Sequence, residues 1–406
     1  MSINEENIIE INTEISCEPT IYSLKTNDVN NIPEEIKFIE NKEIDFLFLD
    51  LHNKMCELKS NIEDKNIKLW DVAKKKVNPY ELVNIIGTNV LKNENFKLKN
   101  DNYIPLSRAF FKLTEIMSVA DIIPDNYKDT NGVIANIAEG PGGFIEAIYK
   151  KRIDIKDKYY ATTLYSNNKN IPGWKQILKK KNHFLNNENI TLKTGNLYNI
   201  NTILHYSFLF KKKKAFLVTC DGGFDNSNDF NNQEINSRKI IYAEIITTLL
   251  IQEKGGNMIC KMFDIFTYFS IQLIYILTLF YEKVNIVKPV TSRPANSEKY
   301  IIAINFKGDE NLTHQFVKSM LKELYNPDIN NTNLIINNLN LPEDFIKDIQ
   351  NINIEITNNQ TKYILKTLEY INNYNKLSYD KNYHLKYSNL WFNRYNILPK
   401  NKLFYK

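Results

Sequence analysis

The chain has 406 residues, with 52 Lys and Arg against 47 Asp and Glu for a net charge of +5, 43% hydrophobic residues and 12% aromatic residues. That is ordinary globular composition, with enough chain for one large core or two smaller ones. The four cysteines, Cys17, Cys56, Cys220 and Cys260, stand far apart in sequence. With no CxxC pair and no His at zinc-ligand spacing, they argue against a disulfide framework or a structural zinc and point to a reducing compartment. The first ten residues, MSINEENIIE, are acidic and lack the basic and apolar regions of a secretory signal.

Charge and glycine divide the chain in the same way. Residues 1–77 carry 10 basic and 16 acidic side chains, 78–308 carry 30 and 21, and 309–406 carry 12 and 10, so the nets are −6, +9 and +2. All twelve glycines, from Gly87 to Gly308, fall in the central part. Tight turns and ligand loops are therefore expected there, and the basic balance suits a polyanionic partner or a solvated Lys-rich face equally well. The Lys runs 179–181 and 211–214 do not separate these two readings.

In chain order, residues 1–77 offer one helix near 44–61. A helix over 107–119 precedes apolar runs at 133–138, 159–164, 215–220, 257–262, 284–288 and 300–306, which read as strands. Helical patterns at 144–151, 233–253 and 265–281 lie between them. Strand and helix in alternation predict an α/β fold, a mostly parallel sheet with helices on both faces. The last two strands, joined by a short Pro-containing loop, predict a hairpin-like edge. The uncharged stretch 265–281 is only 17 residues and contains Thr267, Ser270, Gln272 and Thr278, so it reads as a buried helix and not a membrane span. Beyond 309, helices are expected around 313–325, 342–349 and 361–374, with Asn-rich connections. The Asn, Ile and Lys bias fits an AT-rich genome, as in a large DNA virus or a protist.

Where the first central strand ends, residues 134–144 read IANIAEGPGGF and run at once into a helix. Glycines at such a turn let backbone approach a ligand beyond the carboxyl ends of the strands. The GxGxxG and GxxxxGK[ST] patterns are absent, which disfavours nicotinamide and nucleoside-triphosphate chemistry. Four further segments carry the chemistry: SRAFFKLTEI at 107–116, VTCDGGFD at 218–225, GGNMICKMFD at 255–264 and KPVTSRPANSEKY at 288–300. Asp221 and Lys261 each end an apolar run, where two parallel strands would point their side chains into one crevice.

At these segments the chain resembles the FtsJ/RrmJ-type 2′-O-ribose methyltransferases, and within them the cap-specific mRNA methyltransferases. The resemblance covers roughly residues 80–308 and implies a Rossmann-like methyltransferase fold with a seven-stranded, mostly parallel sheet and helical N- and C-terminal additions. With the boundaries that charge and glycine mark, the chain divides into a partly helical extension (1–77), a methyltransferase domain (78–308) and a C-terminal helical region (309–406). The resemblance also implies S-adenosylmethionine as cofactor and a catalytic tetrad of Lys112, Asp221, Lys261 and Glu298, with Lys261 as general base. Transfer of a methyl group to a ribose hydroxyl requires that hydroxyl to lose its proton, and a neutral Lys in a partly buried, cation-rich setting can take it.

Cofactor contacts are expected from Asn136, Gly142, Gly143, Phe144, Asn196 and Asp221. Asn136 and Asn196 stand where the family usually has Asp, keeping an acceptor oxygen but losing a full charge. Arg108, Ser292, Arg293 and Asn296, beside tetrad members, are the expected contacts to RNA. Trp174 is a weaker candidate for the edge of the site. The implied partner is RNA, the capped 5′ end of mRNA first, with no membrane; the flanks are left for other capping or transcription proteins, and the chain is expected to work as a monomer or loose associate in cytoplasm or nucleus. Ribosomal or other structured RNA as substrate, and an inactive RNA-binding role, remain as alternatives.

Overall fold

The computed structural model describes residues 16–28, 31–40, 46–63, 67–84, 105–168, 171, 173–174, 184–223, 231–308, 310–326, 329, 334–373 and 381–397. The Lys run 179–181 and the first ten residues lie outside them. In chain order the elements are β1 (Thr20–Leu24), β2 (Phe38–Glu40), α1 (Leu49–Glu63), α2 (Ile67–Val77), α3 (Ala109–Val119), β3 (Val133–Ile137), α4 (Gly143–Lys151), β4 (Lys158–Thr163), β5 (Ile190–Thr194), α5 (Ile200–Phe208), β6 (Ala215–Cys220), α6 (Gln233–Ile251), β7 (Gln252–Met262), α7 (Tyr268–Phe280), β8 (Tyr281–Lys288), β9 (Lys299–Phe306), α8 (Glu310–Glu323), β10 (Leu334–Ile336), α9 (Glu343–Asn372) and α10 (Lys381–Arg394).

Eight strands form one sheet in the order β1-β8-β9-β7-β6-β3-β4-β5. The neighbours from β7 through β6, β3 and β4 to β5 are parallel, whereas β9 pairs antiparallel with both β7 and β8. This is the Rossmann-like α/β fold the alternation of strand and helix predicts; β8 and β9 pair antiparallel as expected, but they are not the edge, because β1 covers β8. The sheet has eight strands and not seven, because β1 pairs antiparallel with β8, from Thr20 opposite Lys288 to Leu24 opposite Val284. Its half-exposed pattern, one buried residue in five, gives no apolar run to read.

Alternation along the strands divides the core between two faces. Val133, Ala135 and Ile137 of β3, with Met258, Cys260 and Met262 of β7, pack toward α6 and α7. Ile134, Leu217, Ile259, Tyr300 and Ile302 point the other way, toward Phe111 of α3, Phe144 of α4 and Trp391 of α10. Helix α7 is buried on every side, and Gln272 makes its polar contacts with the small β2–β10 sheet region, donating to the Ile336 and Leu339 carbonyls and accepting from the Ile336 amide. Among the described residues no helix is long and apolar enough to cross a membrane.

Helices expected around 342–349 and 361–374 are one helix, α9, of 30 residues. It lies along α1 and α2, and Asn353 in its middle donates to the Ile265 carbonyl at 2.7 Å. Helix α10 packs beside the short turn at Glu81–Val83, with Tyr387 edge-on to Tyr80.

Candidate active site

Lys112, Asp221, Lys261 and Glu298 come together at the carboxyl ends of β6 and β7. Lys261 is the penultimate residue of β7 and is paired across the ladder with Tyr300 of β9, so the two side chains share one face. Lys261 Nζ donates to the Asp221 carbonyl at 2.7 Å and lies 3.3 Å from Asp221 Oδ1. Lys112, one turn into α3, places its Nζ 2.5 Å from Glu298 Oε1. The buried Tyr300 hydroxyl, 3.4 Å from Asp221 Oδ1 and 3.2 Å from Glu298 Oε1, stands between the two ion pairs. The four side chains are only 12–16% exposed.

The charges set one another. Burial alone would raise Glu298, but Lys112 and Lys261 hold its carboxyl well below the usual range. Burial pulls Lys261 down, yet Asp221, Glu298 and Glu244 outweigh it and leave this amine above its ordinary value. Lys112 goes the other way, since burial there, helped by Arg108 and Lys261, prevails over Glu298 and Asp221. Glycines let the groups close up. A Cβ on Gly223 would stand 3.0 Å from Lys261 Cε and Nζ, and one on Gly222 would stand 2.4 Å from Glu244 Oε1.

The loop 289–298 is fixed from several sides. Glu115, one turn beyond Lys112 on the same face of α3, accepts the amides of Val290 and Thr291 at 2.6 and 3.0 Å and the Trp391 indole at 2.8 Å. Lys288 Nζ donates to the Asn296 carbonyl and Oδ1 and to the Glu298 carbonyl, at 2.6 to 2.8 Å. Burial pushes this amine down to about 7, although Glu298 opposes it.

The four side chains expected to contact RNA all make hydrogen bonds within the chain. Ser292 is buried, and its hydroxyl lies 3.2 Å from Asn296 Oδ1 and 3.1 Å from Glu298 Oε1, so Ser292 and Asn296 brace the tetrad. Arg108 and Arg293 both clamp Glu81: Arg108 Nη1 at 3.1 Å from Oε1, Arg293 Nη2 at 2.8 Å from Oε1 and Nε at 3.0 Å from Oε2. Their side chains keep 24% and 20% of their exposure at the edge of the crevice. Glu81, Glu115, Lys288 and Tyr300 were not singled out from sequence. Lys288 and Tyr300 bound a quoted motif, but Glu81 carries no local signal.

The glycine turn is built mainly by packing. Ala138 at φ 54° and Gly142 at φ 110° turn the chain from β3 into α4. A Cβ on Gly143 would meet Ser107 Oγ at 2.2 Å and the Phe110 amide nitrogen at 3.0 Å, so this glycine makes room for α3. Phe144 is fully buried, with its ring 5.7 Å from Tyr300 and its amide donating to Glu139 at 2.8 Å. Asn136 is also buried and donates to Thr219 Oγ1 at 2.7 Å, while its Oδ1 accepts no hydrogen bond among the described residues. Asn196 is exposed, and its Oδ1 accepts the Tyr198 amide. Trp174, expected at the edge, is buried, with its indole donating to the Lys193 carbonyl.

The donor set suits a cationic cofactor. Burial, then the charge of Asp221, raises the Glu139 carboxyl well above the usual range. A ligand bearing an ammonium and a sulfonium would relieve the crowding of these two acids at the strand ends. Behind them Cys220 and Cys260, far apart in sequence, are register partners on β6 and β7. Their sulfurs and the Glu244 carboxylate lie within 4.8 Å of one another, and burial lifts Glu244 to about 8.

Residues 105–306 match the sequence profile of the FtsJ-like methyltransferases. The chain is 26% identical to "Cap-specific mRNA (nucleoside-2'-O-)-methyltransferase 1A" of Caenorhabditis briggsae over 82% of this chain and 41% of that protein. It is 29% identical to "Cap-specific mRNA (nucleoside-2'-O-)-methyltransferase 1" of Trypanosoma cruzi over 65% and 75%. It is also 25% identical, over 86% and 42%, to a Caenorhabditis briggsae protein described as "Inactive cap-specific mRNA (nucleoside-2'-O-)-methyltransferase 1B". The chain thus spans less than half the length of the two nematode relatives. With the tetrad's motifs all inside the matched span, the chain belongs, through residues 105–306, to the FtsJ-like methyltransferase family.

Proposed function

We propose that this chain is an enzyme that methylates the ribose 2′-hydroxyl of a cap-proximal mRNA nucleotide, using S-adenosylmethionine. The observation that carries the reading is the convergence of Lys112, Asp221, Lys261 and Glu298 at the strand ends. The names of the similar proteins support the capped substrate, and one inactive protein among them makes the tetrad geometry the stronger argument.

Bound S-adenosylmethionine would supply the methyl group on a sulfonium, held by Asp221, the 142–144 turn and Asn196, with Glu139 and Asn136 beneath. Lys112 and Lys261 flank the acceptor hydroxyl, while Asp221 and Glu298 orient the two amines through contacts of 2.5 to 3.3 Å. Lys261 rests protonated, so it must first give up a proton before its Nζ takes the one leaving the ribose hydroxyl. Alignment of the two substrates supplies most of the acceleration, about 7–11 kcal/mol in well-oriented intramolecular reactions. Residues 78–308 form the transferring unit; 1–77 and 309–406 brace it and offer surfaces to other capping or transcription proteins.

The test is transfer of labelled methyl from S-adenosylmethionine to short RNAs with and without a cap, followed by digestion to nucleosides. Label in a 2′-O-methylnucleoside from the capped RNA alone is the expected result. Equal labelling of both RNAs would move the substrate to structured RNA, and RNA binding without cofactor binding would make the chain a structural component.

A further inference from the structure

At the opposite end of the sheet, where β3, β4 and β6 begin, a groove of about 600 Å³ is lined by Lys156, Lys158, Lys211, Lys212, Lys213 and the ring of Phe208, with no acidic residue in its wall. We propose that this groove binds single-stranded RNA, taking the body of the same transcript whose 5′ end lies in the catalytic crevice; this rests on the reading above.

Three observations carry it. All five lysines are exposed and none makes an ion pair among the described residues, so five like charges line one groove. Two carboxylates close to these lysines or to the residues that pack against them are already engaged. Asp157, between Lys156 and Lys158, accepts from Arg152 at 2.5 and 3.0 Å and from the Gly132 amide at 2.8 Å, and Glu253 accepts the Tyr127 hydroxyl at 2.7 and 2.9 Å. Third, Phe208 is 67% exposed and has Lys211 Nζ 5.6 Å from its ring centroid, an arrangement that offers a base a stacking face beside a cation for its phosphate. An acidic peptide would use the charge but leave the ring without a role.

The spacing fits one strand of RNA serving both ends. The strands are five or six residues long, so at ~3.3 Å per residue the groove lies roughly 20 Å from the tetrad, within reach of several extended nucleotides.

The test is fluorescence anisotropy of the full chain with a capped, 3′-labelled RNA of about 30 nucleotides at several salt concentrations. The variants are Lys211→Gln/Lys212→Gln/Lys213→Gln and, separately, Phe208→Ala. The triple variant should bind at least tenfold more weakly at low salt, and its log Kd against log salt slope should fall by about 2, three phosphate contacts at ~0.7 each. Phe208→Ala should lose about fivefold or more with little change in slope. Thermal midpoint and S-adenosylhomocysteine binding check that each variant is folded. Wild-type affinity and slope in both variants would overturn the proposal, as would a polyglutamate peptide that binds the wild-type groove as tightly as RNA does. Binding needs no turnover, so absent methyl transfer would sink the catalytic reading alone, and active enzyme with unmoved RNA affinity would sink the groove alone.

Discussion

Replacing Glu81 with Gln keeps the shape of the residue that ties Arg108 and Arg293 together and removes its charge. The carboxyl is 2% exposed and also accepts from Asn78 Nδ2 at 2.8 Å. Burial would raise it, but Arg108 and Arg293 bring it from the ordinary 4.5 down to about 2. At 1.36 kcal/mol per pH unit, that difference makes the ionised carboxylate worth about 3 kcal/mol at pH 7. Because the folded value is the lower one, the contribution is complete above pH 4.5 and is lost as pH falls toward 2; at pH 3.5 about 2 kcal/mol remains. Urea unfolding followed by near-ultraviolet circular dichroism should therefore show Glu81→Gln less stable by about 3 kcal/mol at pH 7, with the gap narrowing at pH 3.5. A gap under ~1 kcal/mol at pH 7, or one that ignores pH, would mean the two guanidiniums find other partners and that Glu81 does not organise this edge of the crevice.

Gly143→Ala should cost about 1–3 kcal/mol, because a Cβ 2.2 Å from Ser107 Oγ and 3.0 Å from the Phe110 nitrogen forces α3 outward; since α3 carries Lys112, kcat should fall more than KM rises. Thermal melts together with steady-state kinetics check both parts. Below pH 6, log kcat/KM should climb with a slope of one and no plateau, since Lys261 rests above its ordinary value and a smaller fraction is neutral at each lower pH. Measurements stop at pH 6 because Lys288, Glu115 and Glu146, each at about 7, titrate above it; a plateau below pH 6 would remove Lys261 as the base. Stability should decline as pH rises from 5 to 7. Burial raises Glu115 and Glu146 to about 7 and Glu244 to about 8, so the folded chain holds protons that the unfolded chain has released above 4.5. Thermal midpoints across that range give the sign.

The inner strands are legible because β3 and β6 are buried on both faces and read as continuous apolar runs. β5, with one buried residue in five, and β1 at the sheet edge carry no such run and become strands through their neighbours. Helix α9 shows packing overriding propensity. Its Asn-rich middle looks like a connection, yet Ile349, Ile352, Asn353, Ile356, Thr357 and Gln360 make one buried stripe. Asp221 and Lys261 are readable because each ends an apolar run, whereas Lys112 and Glu298 are reached only through the resemblance of their motifs to the family's. The pairing of Glu81 with Arg293 spans 212 positions and has no periodicity to betray it, so both arginines look free in sequence and prove to be tied.

The most direct measurement is single-turnover methyl transfer to the ribose 2′-oxygen of capped RNA by the wild-type chain and by Lys261→Ala, with S-adenosylhomocysteine affinity measured alongside. The account predicts transfer by the wild type and a loss of at least about a thousandfold in the variant, with cofactor affinity nearly unchanged. Transfer by Lys261→Ala at most of the wild-type rate would contradict it.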